Sequence, residues 1–351
     1  MKILYIARVP DSLTGVSNKI KDTIKAWHES GNQSCMYNST KLDNRLKVQK
    51  YTFLELLKNK FSIYIYDRNL NNKLKKYNPD VVYWRFGPVP LLQRFKKNVI
   101  ILESNTNLKI EMKSRSLLSQ LMIMLYIVKF NSICKGVIGV TPESLTFFKH
   151  IPYKAIIGNG IDLNHNIFTE SIKHKIESKV RKKAIFIGSP GCIWHGIDKI
   201  LDIADYFPMI DFHVIGYDEE KIKDTYGKLP PNLNVKGYLE GEALHNELIN
   251  ADIAIGSLAM QRAGMKHSSS LKNRLYLQYG LPVLLQGEDL DLLNCPGVFS
   301  LPEAFAKSDI KLLIEEALRY TLENKDYNSI EALIDSKNVE SRRIEFFKQC
   351  I

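Results

Sequence analysis

Short apolar runs without polar alternation recur along the chain, each followed by a stretch of helical or polar character. In the first half they are Lys2-Ile-Leu-Tyr-Ile-Ala7, Asp80-Val-Val-Tyr-Trp84, Asn98-Val-Ile-Ile-Leu102, Gly136-Val-Ile-Gly-Val140 and Lys154-Ala-Ile-Ile157. Runs apolar at successive positions fit strands covered on both faces, hence parallel sheets with helices on each side. A loop through Gly15 follows the first run, then an amphipathic helix to about Ser30, closed by Gly31. Asn78-Pro79 marks a turn into the second run. The pattern restarts at Lys183 after a charged stretch, Glu170 to Lys182, which reads as an interdomain linker. Further strands are expected at Ala184–Ile187, Phe212–Ile215, Leu233–Lys236, Asp252–Ile255 and Pro282–Leu285, and helices after Asp309. Two successive doubly wound α/β halves account for this order.

Within that frame two stretches carry chemistry. Ala184-Ile-Phe-Ile-Gly-Ser-Pro-Gly-Cys-Ile-Trp-His-Gly196 reads as a strand that breaks at Gly188 into a loop and opens a helix at Gly196. Ser268-Ser-Ser-Leu-Lys-Asn-Arg-Leu-Tyr-Leu-Gln-Tyr-Gly-Leu-Pro-Val-Leu284 reads as a helix with hydroxyl residues at its start and basic residues in its first turns. Strand–loop–helix units aim unpaired backbone N–H groups above the sheet, where a phosphate is welcome. Two of them in one half suggest a pocket for a diphosphate-bearing ligand.

At 351 residues, two domains are the default. The five cysteines are scattered without metal-ligand spacing, which points to a reducing compartment and away from a disulfide framework or zinc site. No secretion signal is expected in the first residues, and the apolar run Leu121 to Val128 is short of a membrane span. The expected location is the cytoplasm or a membrane face. Charge divides unevenly. Residues 1–165 hold 26 Lys/Arg against 11 Asp/Glu, a net of +15, whereas residues 166–351 hold 23 against 27, a net of −4. A basic first half fits an anionic bilayer or polyanion, or a solvated Lys-rich surface. Lys109, Lys113 and Arg115 precede the apolar Leu117–Val128, a segment that could lie on an anionic membrane. A buried domain helix is the favoured reading of so apolar a segment. Nothing resembles a nucleic-acid-binding module, and no G-x-G-x-x-G follows the first strand.

The chain resembles the retaining glycosyltransferases built from two facing Rossmann-like domains, the GT-B architecture, and within them the family-four members of bacterial surface polysaccharide and lipopolysaccharide pathways. The resemblance rests on the opening strand with the Gly15 loop, Tyr83-Trp-Arg-Phe86, Leu102-Glu-Ser-Asn105, Val140-Thr-Pro-Glu143, Gly158-Asn-Gly-Ile-Asp162, Ala251-Asp-Ile-Ala254 and the two stretches above. It implies an acceptor domain over residues 1–165, a nucleotide-sugar donor domain over 166–335, and a helix over 336–351 returning to the first domain. It further implies sugar transfer from a nucleotide-diphosphate donor to a hydroxyl of a glycan or lipid-linked acceptor. The resemblance also implies that transfer retains the anomeric configuration and needs no metal or cofactor. An anionic membrane surface is a candidate partner, and surface-polysaccharide assembly at the cell envelope the expected setting.

By the same resemblance, Lys272 stands where the family places a phosphate-binding lysine, beside Ser269 and Ser270. Arg274, two residues on, faces the other way and is read as structural. Gly188 and Ser189 hold a position that often carries Gly-Arg, so one cationic donor is missing. His195-Gly196 replaces the usual Lys-Gly, and Arg262 or Lys266 could supply the missing charge. Trp194 covers the sugar or packs against the loop. The two Glu of many relatives, which touch the donor sugar and its ribose, align with His267 and Leu275. An imidazole can still bond a sugar hydroxyl, but Leu275 cannot hold a ribose diol. Asn105 falls near a sugar-contacting histidine of relatives. Glu103, one strand repeat earlier on the same face, is a second candidate to orient the acceptor or stabilise positive charge. Gly15 is expected to let the first loop approach the cleft. A catalytically silent subunit supporting a partner transferase, and a nucleotide-sugar epimerase, remain the alternatives.

Overall fold

The computed structural model describes residues 1–8, 14–38, 66–95, 97–113, 115–175, 181–302, 306–320 and 322–351. The chain forms two compact units, Met1–Gly158 with Ser336–Ile351, and Asn159–Asp335.

The first unit holds a six-stranded sheet of β1 (Lys2–Ala7), β2 (Gln33–Asn38), β3 (Val81–Arg85), β4 (Val99–Ser104), β5 (Gly136–Gly139) and β6 (Tyr153–Ile156), in the order β2-β1-β3-β4-β5-β6. Every pairing is parallel. Successive side chains point to opposite faces, and both faces are covered. Leu4 and Ile6 join the core on one side, and Ile3 and Tyr5 the core on the other. Helices α1 (Thr14–Glu29), α2 (Arg68–Tyr77), α3 (Leu108–Lys113) and α4 (Leu117–Ile133) follow the strands. The last helix of the chain, Ser336–Cys350, belongs to this unit and lays Phe346, Phe347 and Cys350 on the Tyr5 side of the sheet. A Cβ on Gly136 would stand 2.7 Å from Cys350 Sγ, so the strand position must be glycine for that helix to seat.

The second unit repeats the plan with β7 (Lys182–Ile187), β8 (Ile210–Ile215), β9 (Leu233–Val235), β10 (Ile253–Ile255), β12 (Val283–Gln286) and β14 (Val298–Leu301), ordered β14-β12-β10-β7-β8-β9. All these pairings are parallel too. Helices α5 (His165–Lys175), α6 (Ile197–Tyr206), α7 (Glu219–Tyr226), α8 (Gly241–Ile249), α9 (Leu271–Gln278), α10 (Lys307–Arg319) and α11 (Asn324–Ile334) complete it; Ser336–Cys350 is α12. A short parallel pair, β11 (His267–Ser268) with β13 (Glu288–Asp289), lies beside the sheet. Strand order reverses direction between β7 and β10, the switch point outside whose carboxyl ends open α/β sheets bind ligands.

Several sequence expectations need correction. Gly15 lies in the first turn of α1, not in a loop, and residues 9–13 of the expected loop fall outside the described residues. The chain changes unit at Gly158 rather than 165, because Asn159 is fastened to the second unit: its N–H donates to Ser269 Oγ at 2.7 Å and its Nδ2 to the Ser269 carbonyl at 2.6 Å. Residues 170–175, expected as linker, are helical. The helix near 268–280 begins only at Leu271, with Ser268 in β11 and Ser270 as N-cap. Helix α4 is not wholly buried. Only Tyr126, Ile127 and Phe130 sit in the core, whereas Leu117, Leu118, Leu121, Met124, Leu125 and Val128 are exposed. Strands β2 and β14 had no readable signal, since most of their residues are only half-buried and polar residues interrupt both. Among the described residues, no helix is long and apolar enough to cross a membrane.

Candidate functional site

In the second unit the site grows from the carboxyl end of β7. Gly188 follows the strand because no side chain fits: a Cβ there would lie 2.6 Å from both the Phe186 and Tyr217 rings. The loop then folds on itself. The Ser189 N–H donates to His195 Nδ1 at 3.3 Å, and the Tyr217 hydroxyl donates to the Ser189 carbonyl at 3.0 Å. An Nδ1 that accepts leaves the ring proton on Nε2. Burial, with the Lys272 charge adding to it, lowers the His195 pKa to about 3, so the imidazole is neutral. Gly196 (φ +70°) is the N-cap of α6, in the left-handed region where an L side chain is strained. The N–H groups of Leu258 and Ala259 donate to the His195 and Trp194 carbonyls, tying this loop to the one after β10. Trp194 is half-buried and meets the His195 ring edge-on.

Helix α9 closes the other side. Tyr276 Oη accepts the Ile187 N–H at 2.7 Å, so the helix docks on the end of β7. This places Lys272 in the first turn with Nζ 4.2 Å from the Phe186 ring centroid. That Nζ is buried and has no hydrogen-bond partner. Burial lowers its pKa from 10.5 to about 7, with Cys192 opposing weakly. No acidic residue stands in the first turn of α9, and the Ser270 side chain caps none of its N–H groups. Helix α6 differs: Asp198 occupies its first turn, held below the usual carboxylate range by Arg262 and by the backbone N–H groups of 198 and 199. Arg262 Nη1 donates to Asp198 at 2.7 Å and Nη2 at 2.5 Å. The chain's own carboxylate therefore sits at the start of α6, whereas the start of α9 offers a cation without a counter-ion.

The remaining predicted residues of this unit fall nearby in different roles. Ser269 is buried and holds Asn159, as described above. Arg274 is fully buried and paired with Asp289 and Asp291 at 2.7 and 3.0 Å, the structural part read from its position on the helix. Leu275 packs against the apolar core. Lys266 and His267 line a separate cavity of about 420 Å³ with Met260, Gln286 and Glu288, and His267 Nε2 stands 3.7 Å from the Glu288 carboxylate.

The first unit has its own cavity, about 660 Å³, at the carboxyl ends of β1, β3 and β4, lined by Arg8, Arg85, Glu103, Asn105 and the side of α4. Glu103 is buried at its floor. It accepts from the Tyr5 hydroxyl and from Lys19 Nζ at 2.6 Å, with Arg85 Nη1 at 3.6 Å. Burial alone would raise its pKa, but Lys19, then Arg85 and Arg343, hold it far below the usual carboxylate range. Lys19 is lowered to about 8 by burial, with Glu103 opposing. The same ammonium donates to Asn105 Oδ1 at 3.1 Å, so Glu103 and Asn105 share one side of the sheet end. Asn105 Nδ2 and Arg85 Nη1 are buried donors without a hydrogen-bond partner. Such groups are costly unless a ligand or water meets them. Arg85 lies within Tyr83-Trp-Arg-Phe86, but Lys19, Tyr5 and Tyr217 carried no sequence signal. Helix periodicity cannot say that one Lys of α1 points into a strand end. Among the described residues, no group of three or more His, Cys, Asp or Glu is placed to hold a metal ion.

Two Rossmann-like units with ligand-ready strand ends make the comparison with solved structures specific. The sucrose-phosphate synthase of Thermosynechococcus elongatus superposes with a TM-score of 0.68 at 12% identity, covering 99% of this chain and 98% of that one. The fold is GT-B. HepE of Anabaena, solved in complex with UDP and glucose, gives 0.65 at 12% identity over 99% and 100% of the two chains. A glycosyltransferase of Rickettsia africae gives 0.64 at 14% over 99% and 98%. No protein-family model matches the chain, and no curated protein matches it in sequence.

Proposed function

We propose that this chain is a retaining, metal-independent glycosyltransferase of the hexosyltransferase type that takes its sugar from a nucleotide-diphosphate donor. The observation that carries the reading is Lys272, a buried ammonium without a counter-ion in the first turn of α9, above the switch point of a GT-B donor-type unit. A diphosphate is a dianionic bridge that supplies the missing partner, and its leaving oxygens gain charge as the glycosidic bond breaks. Preorganised N–H groups of α9 and the Gly188–Gly196 loop, with Lys272, stabilise that charge most in the transition state. A bound diphosphate also raises the Lys272 pKa, so the side chain takes up a proton on binding. Neutral His195 offers an Nε2–H donor, and Arg262 and Lys266 add charge at longer range, Arg262 less because Asp198 already uses its guanidinium.

The cavity of the first unit is read as the acceptor site. Asn105 Nδ2 and Arg85 Nη1 are donors for hydroxyl oxygens, and Glu103, held ionised, orients a hydroxyl through Lys19 and Asn105. The acceptor is a glycan or lipid-linked hydroxyl, the setting surface-polysaccharide assembly at the cytoplasmic face of a membrane. HepE, crystallised with UDP and glucose, supports a uridine donor as the first to try. Leu275, an apolar side chain where a ribose ligand is expected, favours a second reading as a silent partner subunit. A thermal-shift panel of uridine, guanosine, cytidine and adenosine diphosphates with their sugars tests both. One preferred diphosphate, raising the melting temperature with concentration and weakened by Lys272→Ala, supports the proposal. Transfer from that sugar to an acceptor excludes the silent subunit, and a donor changed without any acceptor marks an epimerase. Identical melting with all of them sinks the proposal.

A further inference from the structure

We propose that the outer face of α4 is a bilayer-docking surface for anionic lipid, and that the cavity beside it therefore receives its acceptor from the membrane. This rests on the acceptor reading of that cavity and names the source of its substrate. Leu117, Leu118, Leu121, Met124, Leu125 and Val128 recur at intervals of three, four and seven residues, so they form one stripe along the helix. Leu117 is 83% exposed, Leu118 71% and Val128 63%. Six large apolar side chains in one continuous stripe on the surface mark an interaction face.

Three observations choose a lipid surface over other occupants. The opposite side of α4 is held in the core by Tyr126, Ile127 and Phe130, so the helix lies flat and cannot insert across a bilayer. Its only charged residue is Lys129, and no acidic residue interrupts the stripe. At its amino end stand Lys109 and Lys113, both exposed, with Arg115 paired to Glu111 at 3.0 Å, in a half-chain of net charge +15. An apolar stripe with cations at its margin matches the headgroup and acyl boundary of an anionic leaflet. The stripe also continues into the cavity. Leu118 belongs to both, and Met122 and Ile123 line the wall that leads to Glu103 and Asn105. A molecule with a polar head at Asn105 and an apolar chain along Leu118 would lie with its chain at the membrane.

Flotation of the full chain with phosphatidylcholine vesicles, with and without phosphatidylglycerol, tests the proposal. The chain should rise with the anionic vesicles at low salt. A Leu121→Glu/Val128→Glu variant should lose at least about tenfold in bound-to-free ratio. Both positions are exposed, so the variant should melt like the parent and keep the same thermal shift with the preferred nucleotide diphosphate. A parent chain that stays below the anionic vesicles, or a variant that floats equally well, overturns the proposal. So does a dimer in sedimentation that the variant disrupts, since a second copy then covers the stripe. Absence of any nucleotide shift would instead strike the transferase reading and leave the flotation result standing.

Discussion

Lys272→Met replaces a buried ammonium by an apolar chain of similar length, and its consequences for stability and for binding run in opposite directions. In the folded protein the Lys272 pKa is about 7, against an ordinary 10.5. The unfolded chain therefore binds a proton over this range that the folded chain releases, and stability falls as pH drops from 10.5 towards 7. Integrated, the deficit is about 4 kcal/mol at pH 7 and less than about 1 kcal/mol at pH 10. The contact with Phe186 returns about 1 kcal/mol while the ammonium is charged. The methionine variant is then expected to be more stable than the parent by about 3 kcal/mol near neutral pH, with the gap closing by pH 10. For a unit of this size that is roughly 6–12 °C in melting temperature. Differential scanning fluorimetry at pH 7, 8, 9 and 10 with and without nucleotide diphosphate reads both effects. The parent should gain from the nucleotide, with affinity falling by up to about tenfold per pH unit above 7 as protonation becomes harder. The variant should gain little. A variant less stable than the parent at pH 8 that still responds fully to nucleotide would refute the reasoning.

Glu103→Gln leaves Lys19 and Arg85 without their buried counter-charge and should cost about 3–5 kcal/mol, read by urea unfolding. Because the Glu103 pKa is depressed, its contribution is full above about pH 4.5 and fades only as pH falls below that, so parent and variant should converge in acid. Gly188→Ala sets a methyl against Phe186 and Tyr217 and should cost about 1–3 kcal/mol while also weakening nucleotide binding, measured by calorimetry. Arg262→Ala removes an exposed pair with Asp198, so stability should change by less than about 1 kcal/mol. Its loss of nucleotide affinity should be smaller than that of Lys272→Ala, and a larger loss would make Arg262 the principal phosphate ligand.

The sheet cores were legible because doubly covered strands write their burial into consecutive residues: Ile3 to Ala7, Val81 to Trp84 and Ile100 to Leu102 are all buried. Gly188 was legible as a strand-ending glycine, and Lys272 as a first-turn lysine. That Arg274 would be structural followed from its two-residue offset on the helix. The reach of long side chains was not legible. Lys19 on α1 bonds Glu103, 84 positions away, and Arg343 on α12 reaches the carbonyl of Gly158, 185 positions away. The exposure of α4 was equally hidden, since an apolar composition reads as core whether or not another element arrives to cover it.

What the amino-acid order determined by itself was the alternation of apolar runs and helices, the glycines at strand ends and the charge imbalance, because each depends on near neighbours along the chain. Tertiary structure alone decided which cations are neutralised. Arg262 meets Asp198, Arg274 meets Asp289, Lys19 meets Glu103, and Lys272 meets only the face of an aromatic ring. Pairing is a property of distance in space, and it is the unpaired member that marks the place for an anionic ligand.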